Sequence, residues 1–326
     1  MLTLSSQSFA RNISVAITHK LLPAGVDLVV QNFKDVELPT KSKYSHEELV
    51  EKAARNEILL SSGFDKIDKE ILDQEKLKLV SVNAAGINQV DLEYATKKGI
   101  FVSSVHSHAD TCADLMIGLF LGLSRRIAEA GAFVKDGYWK KLNTSQFLGV
   151  DFHHKNMGII GAGSIGKAVG RRAEGFVMRV LYNDVVPGYE PLDIVLKESD
   201  FIAICAPLTK ETFRMFGKRE FEKMKPAAIL GNIGRGSIVD TEALADAIES
   251  GTIFGAALDV TDPEPLPAAH RLVRHPRVLI SPHMGSATME CRNSMAREAA
   301  QHCVEYLQGK RLHFCNNPEV YNHLKR

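Results

Sequence analysis

The chain has 326 residues, enough for two domains, and 45% of them are hydrophobic, an ordinary value for a globular protein. A net charge of +1, with no basic stripe carrying interleaved aromatics, excludes a nucleic-acid partner held through its phosphates. The longest apolar run, Leu115 to Leu123, is too short to span a bilayer, and Met1 to Arg11 has one basic residue and no apolar h-region, so neither a membrane protein nor a secretory signal is expected.

Taken in order, residues 13 to 104 alternate strand and helix. Strands are predicted at Ile13 to Thr18, Ile58 to Ser61, Leu77 to Ala84 and Ile100 to Ser103. Ser45 to Glu48 reads as a capping box ahead of a helix reaching Asn56, and Asp91 to Lys98 as a helix stopped by Gly99. Asp110 and Thr111 are placed to cap a long helix running to about Gly131, apolar enough to be buried between two domains. Further strands are predicted at Phe201 to Cys205, Ala227 to Ile233, Phe254 to Asp259 and Val278 to Ser281. Helices are predicted from Asp240 to Ser250 and from Ala287 to Gln308. The five cysteines, Cys112, Cys205, Cys291, Cys303 and Cys315, form no C-x-x-C pair, which suits free thiols and a cytoplasmic protein.

Between these blocks lies the stretch that points to a ligand. An apolar strand ends at Ile160, and Gly161, Gly163 and Gly166 follow in G-x-G-x-x-G spacing. A helical segment from Lys167 to Glu174 comes next, and a second strand, Val180 to Tyr182, delivers Asp184. The first glycine permits the tight turn, the second lets a pyrophosphate approach the backbone, and the third lets helix pack on strand. The N–H groups of Ser164 and Ile165 open the helix and face the phosphates. Asp184 is placed to accept from both ribose hydroxyls, and no Arg or Lys follows it until Lys197, so NAD is expected rather than NADP.

In an open parallel sheet, ligands bind outside the carboxyl ends of the strands. Those ends carry the glycine turn, Asp184, Pro207, Ile233 with Arg235, Asp259 with Glu264, and His283. This set suits hydride transfer involving a 2-keto acid. Arg235 offers a planar fork for carboxylate and carbonyl oxygens. His283 offers an imidazole to protonate the oxygen that gains charge, and Glu264 is expected to hydrogen-bond its second ring nitrogen. Asp259 is expected on the nicotinamide side, and the turn Ala84-Ala85-Gly86-Ile87 is expected to hold the substrate carboxylate with the N–H groups of Ala85 and Gly86 across an interdomain cleft. The bland alternatives are a helix-capping Arg235, a solvated loop acid at Glu264 and a structural His283. His106, Ser107, His108 and Asp110, like His153 and His154, lack the four-ligand spacing of a structural zinc site, so no metal is expected.

Five strings together resemble one family: Gly161-Ala-Gly-Ser-Ile-Gly166, Met224-Lys-Pro-Ala-Ala228, Asn232-Ile-Gly-Arg-Gly-Ser-Ile-Val-Asp240, Ala257-Leu-Asp-Val-Thr-Asp-Pro-Glu-Pro265 and Ser281-Pro-His-Met-Gly-Ser-Ala-Thr288. The sequence is similar to the D-isomer-specific 2-hydroxyacid dehydrogenases, and within them to the glyoxylate and hydroxypyruvate reductases. The resemblance implies catalysis by Arg235, Glu264 and His283 and a homodimer. It also implies an α/β architecture in which a Rossmann dinucleotide-binding domain (109–287, with Thr111 among its cofactor contacts) is inserted in a smaller flavodoxin-like substrate domain (1–108 and 288–326). Two departures bear on substrate choice. Val105-His106-Ser107-His108-Ala109-Asp110 stands where such enzymes carry a Thr-Pro-Gly-like stretch, and Ala84-Ala85-Gly86 is smaller than the usual Ala-Val-Gly. The competing readings are reduction of a bulkier aromatic or sugar-derived keto acid, and a non-catalytic NADH-sensing protein of the corepressor kind.

Overall fold

The computed structural model describes residues 12–323, and the reading of the first eleven residues lies outside that range. The chain divides into two compact units, one built from the part up to His108 together with the part from Thr288 onward, the other being Ala109–Ala287.

The first unit opens with β1 (Ser14–Ile17), α1 (Pro23–Asn32), β2 (Asp35–Glu37), α2 (His46–Arg55), β3 (Ile58–Ser62), α3 (Lys69–Leu72), β4 (Leu79–Asn83), α4 (Leu92–Lys98) and β5 (Phe101–Ser104). The strands form one parallel sheet in the order β2-β1-β3-β4-β5, the flavodoxin-like order, with β1 and β3 at the switch point. Helices cover both faces, so β1, β3, β4 and β5 are buried almost throughout. The capping box of α2 is formed: Glu48 N–H donates to Ser45 Oγ at 3.3 Å, and Ser45 N–H donates back to the Glu48 carboxylate at 2.8 Å.

The second unit comprises α5 (Ala109–Ser124), α6 (Ile127–Lys135), β6 (Asn156–Ile160), α7 (Ser164–Gly175), β7 (Arg179–Asn183), α8 (Leu192–Glu198), β8 (Phe201–Ile204), α9 (Lys218–Lys223), β9 (Ile229–Asn232), α10 (Thr241–Glu249), β10 (Gly255–Leu258) and β11 (Val278–Ile280). Its parallel sheet runs β11-β10-β9-β8-β6-β7, so the order reverses between β6 and β8. The chain then returns to the first unit as α11 (Met289–Leu307), capped by Thr288 Oγ1, which accepts from Cys291 N–H at 3.2 Å. Helix α11 packs on α1 and β4, and the tail beyond it buries Leu312 and Val320 in the same core. No helix of the described residues is long and apolar enough to cross a membrane.

The structure corrects the long helix expected to run to Gly131. It stops at Ser124 because the chain comes back at residues 149–150: Val150 N–H donates to the Ser124 carbonyl at 2.9 Å, and Gly149 packs directly on it. Arg126 then takes a left-handed φ of 53° before α6 begins. Nor do Asp110 and Thr111 cap this helix. It starts at Ala109, so both lie in its first turn, and Asp110 pairs instead with Arg171 and Arg172 of α7 at 3.1 and 3.0 Å. Helices α1, α3, α8 and α9 and strand β2 were not predicted from the sequence.

Candidate active site

The site begins at the switch point, where strand β6 runs into the glycine turn. Gly161 holds a left-handed φ of 96°, and a methyl group there would meet Ala206 N at 2.7 Å, in the loop that follows β8. The turns after β6 and β8 therefore press on one another, as a crevice at a point of strand-order reversal requires. A methyl group on Gly166 would run into the Gly161 carbonyl, so only glycine lets the helix start this close to the turn, whereas Gly163 faces open space that a side chain would fill. Helix α7 starts at Ser164, which puts the N–H groups of Ser164 and Ile165 in its first turn without partners from a preceding one. This cradle fits a pyrophosphate.

Asp184, just past β7, lies against the same turn. Its Oδ2 accepts from Ala162 N–H at 2.6 Å and its Oδ1 from Val186 N–H at 3.2 Å. Pro207 follows Ala206 on the β8 side, exposed, with its carbonyl accepting from the Thr212 hydroxyl at 2.7 Å. Thr111 lies half-buried in the first turn of α5.

Three further strand ends supply the polar groups. After β9, Asn232 folds the chain over itself, accepting from Gly234 N–H at 3.0 Å and donating to the Arg235 carbonyl at 2.9 Å. Ile233 is buried, and Arg235 stands between the glycines with Nη1 donating to the Gly234 carbonyl at 2.7 Å. Burial pushes the Arg235 guanidinium down from its usual value, opposed by the nearby Glu264 and Cys112, and arginine titrates so high that it stays a cation at neutral pH. Thr261 packs directly on Gly236, carrying the loop after β10 towards Arg235. In that loop Thr261 N–H donates to Glu264 Oε2 at 3.2 Å, and Glu264 Oε1 lies 2.6 Å from His283 Nδ1. Glu264 is thus anchored on one oxygen and pairs with the imidazole through the other, leaving His283 Nε2 as the free end of the ring.

The backbone under His283 is built to hold it. His283 has a left-handed φ of 51°, rare for a residue with a side chain, and its N–H donates to the Asp259 and Ser281 carbonyls, each at 3.0 Å. Asp259 is only 2% exposed. Its Oδ1 accepts from Ser281 Oγ at 2.6 Å and Met284 N–H at 2.8 Å, and its Oδ2 from Gly285 N–H at 2.8 Å. The loop that bears the imidazole is therefore wound around one buried carboxylate, a role the sequence reading did not assign. Gly285 also faces Cys112 and Ile233, and neither Gly285 nor Cys112 was singled out from the sequence, which carries no local signal for this convergence. Asp259→Asn puts an amide N–H₂ against these donors and is expected to cost about 3 kcal/mol, since buried groups lose their acceptor. A urea melt of the variant with an unchanged midpoint would contradict that expectation.

In the first unit, Ala84-Ala85-Gly86-Ile87 follows β4 and is half-buried. The Ala84 carbonyl accepts from Val105 N–H at 3.1 Å, and among the described residues no acceptor takes the N–H of Ala85 or Gly86. The His106 and Ser107 N–H groups, in the segment that departs from the family pattern, donate to the Glu298 carboxylate at 3.0 Å.

With this geometry in view, the sequence profile of the D-isomer specific 2-hydroxyacid dehydrogenases, NAD binding domain, matches residues 117–285. The chain belongs to the D-isomer specific 2-hydroxyacid dehydrogenases. This dehydrogenase is 38% identical over 312 residues to the glyoxylate reductase of Thermococcus gammatolerans, 91% of this chain and 93% of that one. A crystal structure of a Thermus thermophilus protein superposes with a TM-score of 0.87 at 36% identity, covering 93% of this chain and 100% of the other. The NADPH-dependent glyoxylate/hydroxypyruvate reductase of Sinorhizobium meliloti, crystallised with NADP and malonate, gives a TM-score of 0.85 at 25% identity over 95% of this chain and 98% of its own. The dehydrogenase is therefore an oxidoreductase of 2-hydroxy acids with an NAD-binding Rossmann unit, as the strand-end residues and the glycine turn anticipated.

Proposed function

We propose that this dehydrogenase interconverts a small 2-keto acid and its D-2-hydroxy acid, in the manner of a glyoxylate or hydroxypyruvate reductase, with NAD as coenzyme. The observation that carries the reading is the 2.6 Å pair between Glu264 Oε1 and His283 Nδ1, on a strained loop of the unit that also bears Arg235. When bound, the nicotinamide donates or accepts the hydride. The chain's own groups handle binding and the proton. Arg235 presents its remaining guanidinium N–H groups to the carboxylate and carbonyl oxygens of the substrate, a planar match that ammonium lacks. His283 delivers a proton from Nε2 to the oxygen that gains charge, or takes it from the alcohol in the reverse direction. Glu264 holds the ring by Nδ1 and so aims Nε2 at the substrate.

The second unit is proposed as the cofactor domain and the first as the substrate domain, the N–H groups of Ala85 and Gly86 serving a carboxylate. Oδ2 of Asp259, with one donor at 2.8 Å, has a lone pair left for the nicotinamide amide. Glyoxylate and hydroxypyruvate are favoured as substrates because glyoxylate reductases align over nine-tenths of the chain. A homodimer in the cytoplasm completes the proposal, checked by light scattering and by imaging of a tagged protein. NADH consumption with glyoxylate, hydroxypyruvate, pyruvate and aromatic keto acids tests the substrate class. Turnover confined to aromatic acids would favour the bulkier-substrate reading, and turnover with none would end it.

The preference for NAD rests on Asp184. A 2′-phosphate would meet its carboxylate, and no cation follows in the loop up to Lys197. Asp184→Ala is expected to shift the ratio of kcat/KM for NADH over NADPH at least tenfold towards NADPH, about 1.4 kcal/mol. An unchanged ratio would show that the ribose is read elsewhere.

A further inference from the structure

The first unit gathers a set of side chains that the proposed reaction does not use. Glu298 and His302 lie one turn apart on α11, and His313 reaches them from the tail; one donor atom of each lies within 4.8 Å of the other two. His302 is fully buried, and neither ring nitrogen has a hydrogen-bond partner among the described residues. A neutral imidazole has one N–H and one lone pair, and burying both unpaired is costly. The neighbours that face it leave the lone pair without a donor. The His313 ring packs beside it at 4.4 Å between centroids, and Glu298 is a carboxylate.

His313 is oriented as metal-bound histidines usually are. Its Nδ1 lies 3.1 Å from Glu305 Oε1, on the same helix one turn beyond His302, and its Nε2 lies 3.8 Å from Glu298 Oε1. A carboxylate behind a histidine fixes the ring and raises its basicity as a ligand. Glu298 is held in turn by the N–H groups of His106 and Ser107.

We propose that Glu298, His302 and His313 form a site for a divalent first-row transition cation, tested as Zn²⁺, that ties the tail to α11. Two imidazoles and a carboxylate are a borderline ligand set suited to zinc, cobalt or nickel rather than magnesium or calcium, and three protein ligands leave one position for water. Donors within 4.8 Å of each other sit no more than about 2.8 Å from a common centre, so a contraction of less than about 1 Å reaches the 2.0–2.2 Å of zinc–nitrogen and zinc–oxygen bonds.

The test uses the full-length protein stripped with chelator and titrated with Zn²⁺ against a chromophoric competitor, with Co²⁺ as a spectroscopic probe. One site per chain is expected, with the visible bands of tetrahedral cobalt and a rise in melting temperature on adding Zn²⁺. His313→Ala, at a half-exposed position, should fold normally and lose at least tenfold in affinity together with the cobalt bands. Glu305→Gln, which removes only the orienting carboxylate, should lose about 10- to 100-fold. His153→Ala, in the exposed histidine pair, should bind as the parent does. Absence of binding in the parent, or equal affinity and stoichiometry in His313→Ala, would overturn the proposal, as would loss of the site in His153→Ala.

Discussion

His283→Ala is expected to lower kcat by about 10²- to 10⁴-fold while NADH still binds. In the proposed reaction the proton that must reach the substrate oxygen comes from Nε2, and removing the ring would leave that oxygen charged against whatever water enters. The glycine turn and Asp184 stand on other strand ends, after β6 and β7, so fluorescence titration of NADH should be unaffected. The bonds from the His283 N–H to the Asp259 and Ser281 carbonyls do not involve the ring, so the variant should fold as the parent does. A variant that turned over at the parent's rate would remove the acid–base assignment. A variant that lost NADH binding as well would place His283 in the cofactor site instead.

Arg235→Gln is expected to reduce kcat/KM for keto acids by about 10²- to 10³-fold, the loss seen when a preorganised donor to a developing oxyanion is removed. Arg235→Lys should recover only part of this, because an ammonium keeps the charge but not the paired N–H geometry. The guanidinium is half-buried and pushed below its usual value by that burial, so its charge is costly to hold and strong once an anion reaches it. Steady-state kinetics with varied keto acid would separate a higher KM, the mark of lost carboxylate binding, from a lower kcat, the mark of lost carbonyl polarisation. An Arg235→Gln enzyme with unaltered kcat/KM would contradict the role of this residue.

What the sequence revealed was whatever contiguous residues encode. The G-x-G-x-x-G turn could be read because its demands are local: a left-handed φ at Gly161, room at Gly163, contact at Gly166. Arg235, Glu264 and His283 could be read because each follows an apolar strand of a parallel sheet, and such strand ends converge. Their pairing could only be anticipated. That Glu264 reaches Nδ1 depends on Thr261 packing on Gly236, 25 residues away in the chain. That buried Asp259 also holds the His283 loop could not be read, since its three loop donors come from residues 281 to 285, beyond any local pattern.

Two of the missed helices lack a capping side chain at their start. Helix α1 is preceded by Leu22, which has no capping side chain, and α9 by Gly217, whose N–H is taken by Glu220 at 3.1 Å. The break after Ser124 is set by Gly149 and Val150, a contact no periodicity in the helix reports. The Glu298–His302–His313 cluster was invisible for the same reason: the spacing of the first two suits one helical face, but the third ligand arrives only when the tail folds back.

The most direct test is product analysis after reducing hydroxypyruvate with NADH deuterated at the transferring position. The expected product is D-glycerate carrying one deuterium at carbon 2, formed by the parent and suppressed in His283→Ala. L-glycerate, or product without deuterium at that carbon, would contradict hydride transfer to the keto carbon with the chirality proposed for this site.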